Sequence, residues 1–367
     1  MQCLLDGIIL EIHRCFMIAV HPDRKYGQFS NALRYYIKIL EHNNVDLLIT
    51  EINDSNFWEE IRKCDYFFFR WGQHDHFRQI ATTILPIIEN HFKIKCFPSQ
   101  LSSWLYDDKI REFFLLHAYG FSLIATHVFF DRKKAEEFIK TIEYPLVLKL
   151  KSGAGSLSVR LIKNEEIALK YINLMFGSGV SYAKGLPGTQ RDILKQKGLF
   201  SYTRKQLGRL KNRMHQGSFY MVDDWEIHKN YIMFQKFMPG NTYDTRIVII
   251  GNRAFGFIRY NRENDFRASG SKLNDYNPAK IDLQFVELSF LISKKFSFEC
   301  MAYDFLYDES GNPVICELSY TFGSSRGSEV VKCPGFWDEK LHWHVDEVDP
   351  AFYLLDDFLT EYNLKRL

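Results

Sequence analysis

Residues 301–320 read MAYDFLYDESGNPVICELSY, and the fold is decided by how this stretch is read. Two apolar runs flank a Gly311-Asn312-Pro313 turn, and each run carries a carboxylate, Asp304 in the first and Glu317 in the second. Glycine, asparagine and proline reverse the chain for backbone reasons, so the pattern predicts a β-hairpin. Residues opposite one another on paired strands lie about 5 Å apart, which sets the two acids side by side. Carboxylate oxygens so placed suit a hard cation such as Mg²⁺, held against the phosphates of a nucleotide. What precedes the hairpin adds weight: two candidate phosphate-binding lysines, a glycine-rich loop and an arginine-rich strand, in a fixed order.

The 367 residues leave room for two or three domains. With 46% hydrophobic and 25% charged residues the composition is that of a folded globular protein, and most of the 32 Phe and 20 Tyr belong to its core. A net charge of +2 argues against a dedicated nucleic-acid binder. The seven cysteines, at 3, 15, 64, 96, 300, 316 and 333, form no CxxC pair. Their odd number suits reduced, mostly buried thiols in a cytosolic protein. The longest apolar run, residues 15–20, is far too short to span a membrane. The leading MQCLLDGIILEIHR has acids inside its apolar stretch and no basic start, so it does not read as a signal peptide.

Along residues 1–103 strands and helices alternate. Strands are expected at 15–20, 45–52, 66–71 and 93–97, and helices at 29–42, 57–64 and 77–92. That rhythm predicts a small parallel α/β sheet. A helix at 107–119, an extended segment at 121–130 and a helix at 132–141 follow. The strand 144–151 then runs into Ser152-Gly153-Ala154-Gly155-Ser156, and 159–162 returns as a glycine-tipped hairpin. Residues 176–224 interrupt the pattern. Within them, 184–213 hold nine Lys or Arg against one acid, Asp192. This stretch reads as an insertion, either a solvated helical face or a clamp for an anionic substrate. From Tyr231 the pattern turns strongly β, with a helix at 283–296 before the carboxylate hairpin.

Lys149 stands in an otherwise apolar strand, and buried lysines need a partner. An anionic ligand is one, and Lys151, with the same strand parity, is the alternative occupant. Gly153 and Gly155 let backbone N–H groups approach phosphate oxygens. The spacing is neither that of a P-loop nor that of a Rossmann fingerprint. Arg246, Arg259, Arg262 and Arg267 fall within 22 residues. Guanidinium forks match carboxylate and phosphate; the competing expectation is pairing with Asp244 or Asp265. His342-Trp343-His344 lacks an evident third metal ligand and reads as packing.

Taken together, the order of these groups resembles the ATP-grasp superfamily, and within it the branch of carboxylate–amine ligases that includes ribosomal-protein glutamate ligases. The resemblance is clearest from 104 to 319. It implies an α/β and α+β protein: an N-terminal parallel α/β domain at 1–103, an ATP-grasp N-lobe at 104–234 with the basic insertion at about 176–224, and a C-lobe with antiparallel sheet at 235–367. Carried over by position, Lys109 and Lys149 resemble the family's phosphate-binding lysines. Gly153, Gly155 and Ser156 match its phosphate loop, and Gln235, Lys236 and Phe237 the adenine hinge, where relatives usually have an acid in place of Lys236. Asp244 and Arg246 match nucleotide-binding positions. Asp265-Phe266-Arg267-Ala268-Ser269 resembles the segment near phosphates and acceptor, with Arg267 and Arg259 as catalytic groups and Ser269 on the nucleotide. Asp304, Glu317 and Ser319 match the metal ligands, Ser319 replacing the usual asparagine.

The resemblance further implies ATP with Mg²⁺, or Mn²⁺ in its place, as cofactors. The substrates are expected to be a carboxylate and an amine, as small molecules or carrier-linked, joined through an acyl phosphate. A sugar acid or amino acid of surface-polysaccharide synthesis is one such substrate. A kinase and a non-catalytic ATP-binding module are the other functions the same fold supports. A cytoplasmic location is expected, with no nucleic acid and no membrane span. The oligomeric state, a homodimer included, is left open.

Overall fold

The structure, a computed structural model, describes residues 16–25, 28–72, 74–153, 158–181, 185–187, 226–263, 265–323 and 328–367. The first strand is β1 (Met17–Val20). Ser30 then caps α1 (Asn31–His42) by accepting the Leu33 amide, and Leu33, Tyr36, Ile37 and Leu40 form the buried stripe that the sequence spacing shows. β2 (Asp46–Ile49), α2 (Phe57–Ile61) and β3 (Tyr66–Phe68) follow. Next comes α3 (Asp75–Leu85), which gives way at Pro86 to a wider π-helical turn over Pro86–His91. Proline has no amide hydrogen for the regular helical bond, so the change of pitch falls there. β4 (Lys95–Phe97) completes an all-parallel sheet in the order β2-β1-β3-β4.

Two helices lead out of this sheet. α4 (Gln100–Leu105), capped by Ser99, was not legible in the sequence. α5 (Lys109–Ala118) starts two residues later than expected, because Asp107 has φ of 53° and Asp108 is the cap, accepting the amides of Ile110 and Arg111. β5 (Thr126–Phe129) is the part of the extended 121–130 segment that becomes a strand. α6 (Arg132–Phe138), β6 (Leu146–Lys149), β7 (Val159–Ile162), α7 (Glu165–Met175) and β8 (Ile232–Lys236) complete the second unit. Its sheet is antiparallel, in the order β5-β8-β6-β7. Most of the basic stretch 184–213 lies outside the described residues. The insertion's start is corrected, since Val180–Ser181 pairs with Ile227–His228 and Leu186 is buried in this unit's core.

The third sheet is built from β9 (Tyr243–Ile250), β10 (Arg253–Tyr260), β11 (Cys300–Tyr307), β12 (Pro313–Ser319), β13 (Gly335–Trp337) and β14 (Trp343–Val345), with α8 (Leu283–Phe296) against it. Its order is β12-β11-β9-β10-β13-β14, antiparallel throughout, with a short strand Asn274–Asp275 on β10. The expected carboxylate hairpin is β11–β12. Asp304 pairs with Glu317 and Phe305 with Ile315, so Cys316 is the extra residue of a β-bulge. In β14, Trp343 packs edge-on against Trp337 and His344 stacks on Phe336. The last helix is α9 (Pro350–Phe358), which returns to α1.

The first and third sheets share one hydrophobic core, and the second sheet, with α6 and α7, has its own. No helix among the described residues is long and apolar enough to cross a membrane.

Candidate active site

A cleft of about 330 Å³ is lined by residues of the second and third sheets. Every sequence-expected site residue that the structure describes lines it: Lys109, Lys149, Gly153, Gln235, Lys236, Phe237, Asp244, Arg246, Arg259, Arg267, Ser269, Asp304, Glu317 and Ser319. Gly155 and Ser156 lie outside the described residues.

The adjacent strands β9, β10 and β11 bring four of these side chains into one buried ion network. Arg246 grips Asp304 with both arms of its fork, Nε to Oδ1 at 2.6 Å and Nη2 to Oδ2 at 2.8 Å. Arg259 grips Asp244 the same way, at 2.7 Å for each bond, and its Nη2 also lies 2.7 Å from Asp304 Oδ2. Burial opposes charge on Asp304, yet the two guanidiniums outweigh it and hold the carboxyl well below the usual range. This corrects the picture of Arg259 as a group aimed at substrate. Its fork is filled by two carboxylates, so it positions Asp244 and Asp304. Arg246 pairs with Asp304 rather than with the Asp244 that the sequence offered as its partner.

Lys109 and Lys149 face this network from the other side. Lys109, at the first turn of α5, is 5% exposed and lies 3.2 Å from Glu317 Oε1 and 3.4 Å from the Gly153 carbonyl. Burial works against its charge, but Glu317, Asp107 and Glu112 outweigh it and hold its pKa above the ordinary value. Lys149 is buried and donates to Cys316 Sγ at 3.4 Å. Lys151 is no substitute, since it turns away to Glu226 at 2.6 Å. Cys316, expected only as one of the mostly buried thiols, lines the cleft instead, because the bulge brings it beside Lys149.

At the hinge end, the Gln235 amide donates to Thr126 Oγ1 at 2.9 Å, and the Lys236 N–H is taken by the Ala125 carbonyl. Lys236 Nζ pairs with Glu309 at 2.8 Å. Phe237 meets Phe266 edge-to-face at 5.6 Å. Opposite, Asp265 accepts from the Arg267 amide at 3.1 Å and from its guanidinium at 2.8 Å, so Arg267 is oriented by its own segment. Glu329, which the sequence reading missed, also lines the cleft and is held by the Asn274 amide at 3.1 Å.

Among the described residues no three His, Cys, Asp or Glu side chains converge in a way that could hold a metal by themselves. A hard cation here would therefore complete its shell with phosphate oxygens and water, as Mg²⁺ does. Asp304 Oδ1 and Glu317 fit that use, since Oδ1 takes one donor and Glu317 pairs with a single lysine. Ser319 fits less well, its hydroxyl closing a local turn with Thr321 at 2.9 Å.

Three further groups escaped the sequence reading. Asp107 accepts the Gly153 amide at 2.8 Å and the Arg78 guanidinium at 3.1 Å, and burial raises its carboxyl to about 6. Arg78 also binds Glu226 at 2.5 Å, so α3 of the first unit is tied to the base of the glycine-rich tip. Glu112 accepts the Leu318 amide at 3.0 Å. Its place three residues after Lys109 on one helix face was the available signal.

A glycine-tipped antiparallel sheet, facing a second one that carries paired acids, is the ATP-grasp fold. Over 94% of this chain and 98% of the other, the structure is similar to D-alanyl-alanine synthetase A from Vibrio cholerae O1 biovar eltor, with a TM-score of 0.55 at 9% identity. It is similar to D-alanine–D-alanine ligase from Bacillus anthracis over 94% and 96% of the two chains, with a TM-score of 0.51 at 14% identity. N5-carboxyaminoimidazole synthase from Aspergillus clavatus, seen with ADP and 5-aminoimidazole ribonucleotide, is matched over 96% and 78%, with a TM-score of 0.53 at 9% identity. Residues 213–333 match the family of RimK-like ATP-grasp domains, which agrees with the branch that the sequence resembles. No curated protein matches the sequence.

Proposed function

We propose that the protein is an ATP-dependent carboxylate–amine ligase that forms an amide through an acyl phosphate. One observation carries the reading: Lys109 and Lys149, both buried, meet Glu317 and Asp304 across one cleft. Four such groups in a shared cavity suit a polyphosphate and its counter-ion better than any role in packing.

In this reading adenine lies against Phe237 and Phe266. The Lys236 N–H is taken by the Ala125 carbonyl, so it is not the hinge donor to adenine. A carboxylate oxygen of the first substrate attacks the γ-phosphorus of ATP, the bond to ADP breaks, and an acyl phosphate forms. Lys109 and Lys149 neutralise charge as it shifts to the leaving group, and Arg267 holds the transferred phosphoryl group or the oxyanion that follows. An amine nitrogen then attacks the acyl carbon, phosphate leaves, and the amine gives up a proton. Mg²⁺ held by Asp304 and Glu317 would supply charge neutralisation on the phosphates, and Mn²⁺ shares its preference for oxygen ligands. That the acid is a sugar acid or amino acid rests on the resemblance alone.

A second reading is a nucleotide-binding module without turnover. The double grip on Asp304 and the closed turn at Ser319 favour it. Thermal shift with ATP and Mg²⁺ tests the shared part: a magnesium-dependent rise in melting temperature is expected for the wild type and is lost in Lys149→Ala. ADP release upon adding carboxylates together with amines separates the ligase from the binder. ADP release with hydroxylic acceptors and no amine would instead identify a kinase.

A further inference from the structure

We propose that Glu112 is a positioning residue that fixes the distance between Lys109 and Glu317, and with it the seat of the metal-bound triphosphate. The inference rests on the nucleotide-site reading above.

Lys109 and Glu112 stand three apart in α5, so both project from one face of the helix. Lys109 reaches Glu317 across the cleft at 3.2 Å, while Glu112 Oε2 accepts the backbone N–H of Leu318, the next residue, at 3.0 Å. One helix face therefore holds two consecutive residues of β12, one through its side chain and one through its backbone. β12 is the edge strand of the third sheet, and Leu318 N–H points off that edge into a buried space. A buried amide left unpaired is costly, so without an acceptor at 112 the strand would shift or admit water where Glu317 sits.

The choice of residue is itself informative. Glu112 is 4% exposed, and its second oxygen, Oε1, is buried without a partner. A small cavity of about 20 Å³ adjoins it, lined also by Lys109, Gln235, Cys316 and Glu317, with room for one water. A carboxylate so close to Glu317 is electrostatically unfavourable, and ordinary core packing would not select it. It does, however, span the gap from α5 to an edge-strand amide, which a shorter acceptor on the same turn would not.

The test uses the nonhydrolysable analogue AMP-PNP and titrates Mg²⁺ against three variants. Glu112→Leu fills the space but cannot accept the Leu318 amide; Glu112→Asn keeps an acceptor one carbon too short; Glu112→Gln keeps an oxygen at full reach. Leu and Asn variants are expected to need at least tenfold more Mg²⁺ for half-maximal AMP-PNP binding, with adenosine binding unchanged as evidence of a folded hinge. The Gln variant should return to within about threefold of the wild type. Wild-type Mg²⁺ dependence in a folded Leu or Asn variant, or a Gln variant as impaired as they are, would overturn the proposal. A wild-type protein that fails to bind AMP-PNP overturns the nucleotide reading instead, and the positioning role with it. If the Leu variant does not fold, the Asn and Gln pair decides alone.

Discussion

Four carboxylates line the cleft, and three of them already hold a cation: Asp244 and Asp304 their arginines, Glu317 its lysine. Glu329 is the fourth, and among the described residues no cation pairs with it. An acid left over in a cleft rich in lysine and arginine suits a positively charged group of a substrate, which the proposed amine acceptor would bring. Glu329→Gln is therefore expected to raise KM for the amine at least tenfold and to leave KM for ATP unchanged, read by ADP release at varied amine. A neutral, hydroxylic acceptor would show no such split. His228 carries a different kind of prediction. Burial lowers its pKa from 6.5 to about 4, so it is neutral when folded at pH 7. The unfolded chain takes up the proton first as pH falls, so this contribution is complete above about pH 6.5 and is lost on the way to pH 4. The stability advantage of the wild type over His228→Gln should shrink by about 2 kcal/mol between pH 6.5 and 5, at 1.36 kcal/mol per unit. Thermal melts of both proteins at matched pH give that difference directly. At this scale the sequence showed Lys149 plainly, because a single cation in an apolar strand stands out. It placed Glu112 beside Lys109 but could not show what Glu112 or Asp107 does, which depends on the distant amide each one meets.

The hairpin that carries Asp304 and Glu317 was legible as an element, since its turn residues and apolar runs are local signals. Its bulge was not. Both runs read as regular strands, and only the pairing of Phe305 with Ile315 shows Cys316 to be extra. The same limit applies at the other edge of the sheet. His342-Trp343-His344 read only as packing, yet residues 335–345 form the β13–β14 hairpin, whose partners are fixed by contacts with β10 rather than by periodicity. Gly335 is the residue that makes this hairpin close. A Cβ there would run into the His344 carbonyl, which is backbone and cannot swing aside. Gly335→Ala should therefore destabilise the protein by about 1–3 kcal/mol, the usual range for forced overpacking, seen as a lower denaturation midpoint. AMP-PNP affinity of the folded variant should hardly change, because β13 and β14 lie at the edge opposite to β12.

At the scale of the molecule, the alternation of strands and helices announced a first α/β unit and the later β-rich pattern a second, but not how the two are joined. The chain returns from the third sheet through α9 and inserts Phe358 among Tyr66, Phe68 and Phe97 of the first sheet. Lys95 donates to the Phe358 carbonyl at 2.7 Å, and Tyr362 donates to the Phe16 carbonyl at 2.5 Å. These contacts join residues between 261 and 346 positions apart, which no local pattern could reveal. They merge the first and third sheets into one core, while the second sheet keeps its own. The cleft thus lies between a large body and a smaller one, tied by the Arg78–Asp107–Gly153 and Glu112–Leu318 links. Phe358→Ala removes a ring that is 2% exposed and leaves a cavity, at a cost of about 3–5 kcal/mol. Because that ring belongs to the shared core, hydrogen exchange in this variant should rise together in β1, β3 and β9, while β6 and β8 keep their protection. Equal loss of protection in all three sheets would show that the two cores unfold as one, and the cleft would then be a fixed groove rather than a joint between two bodies.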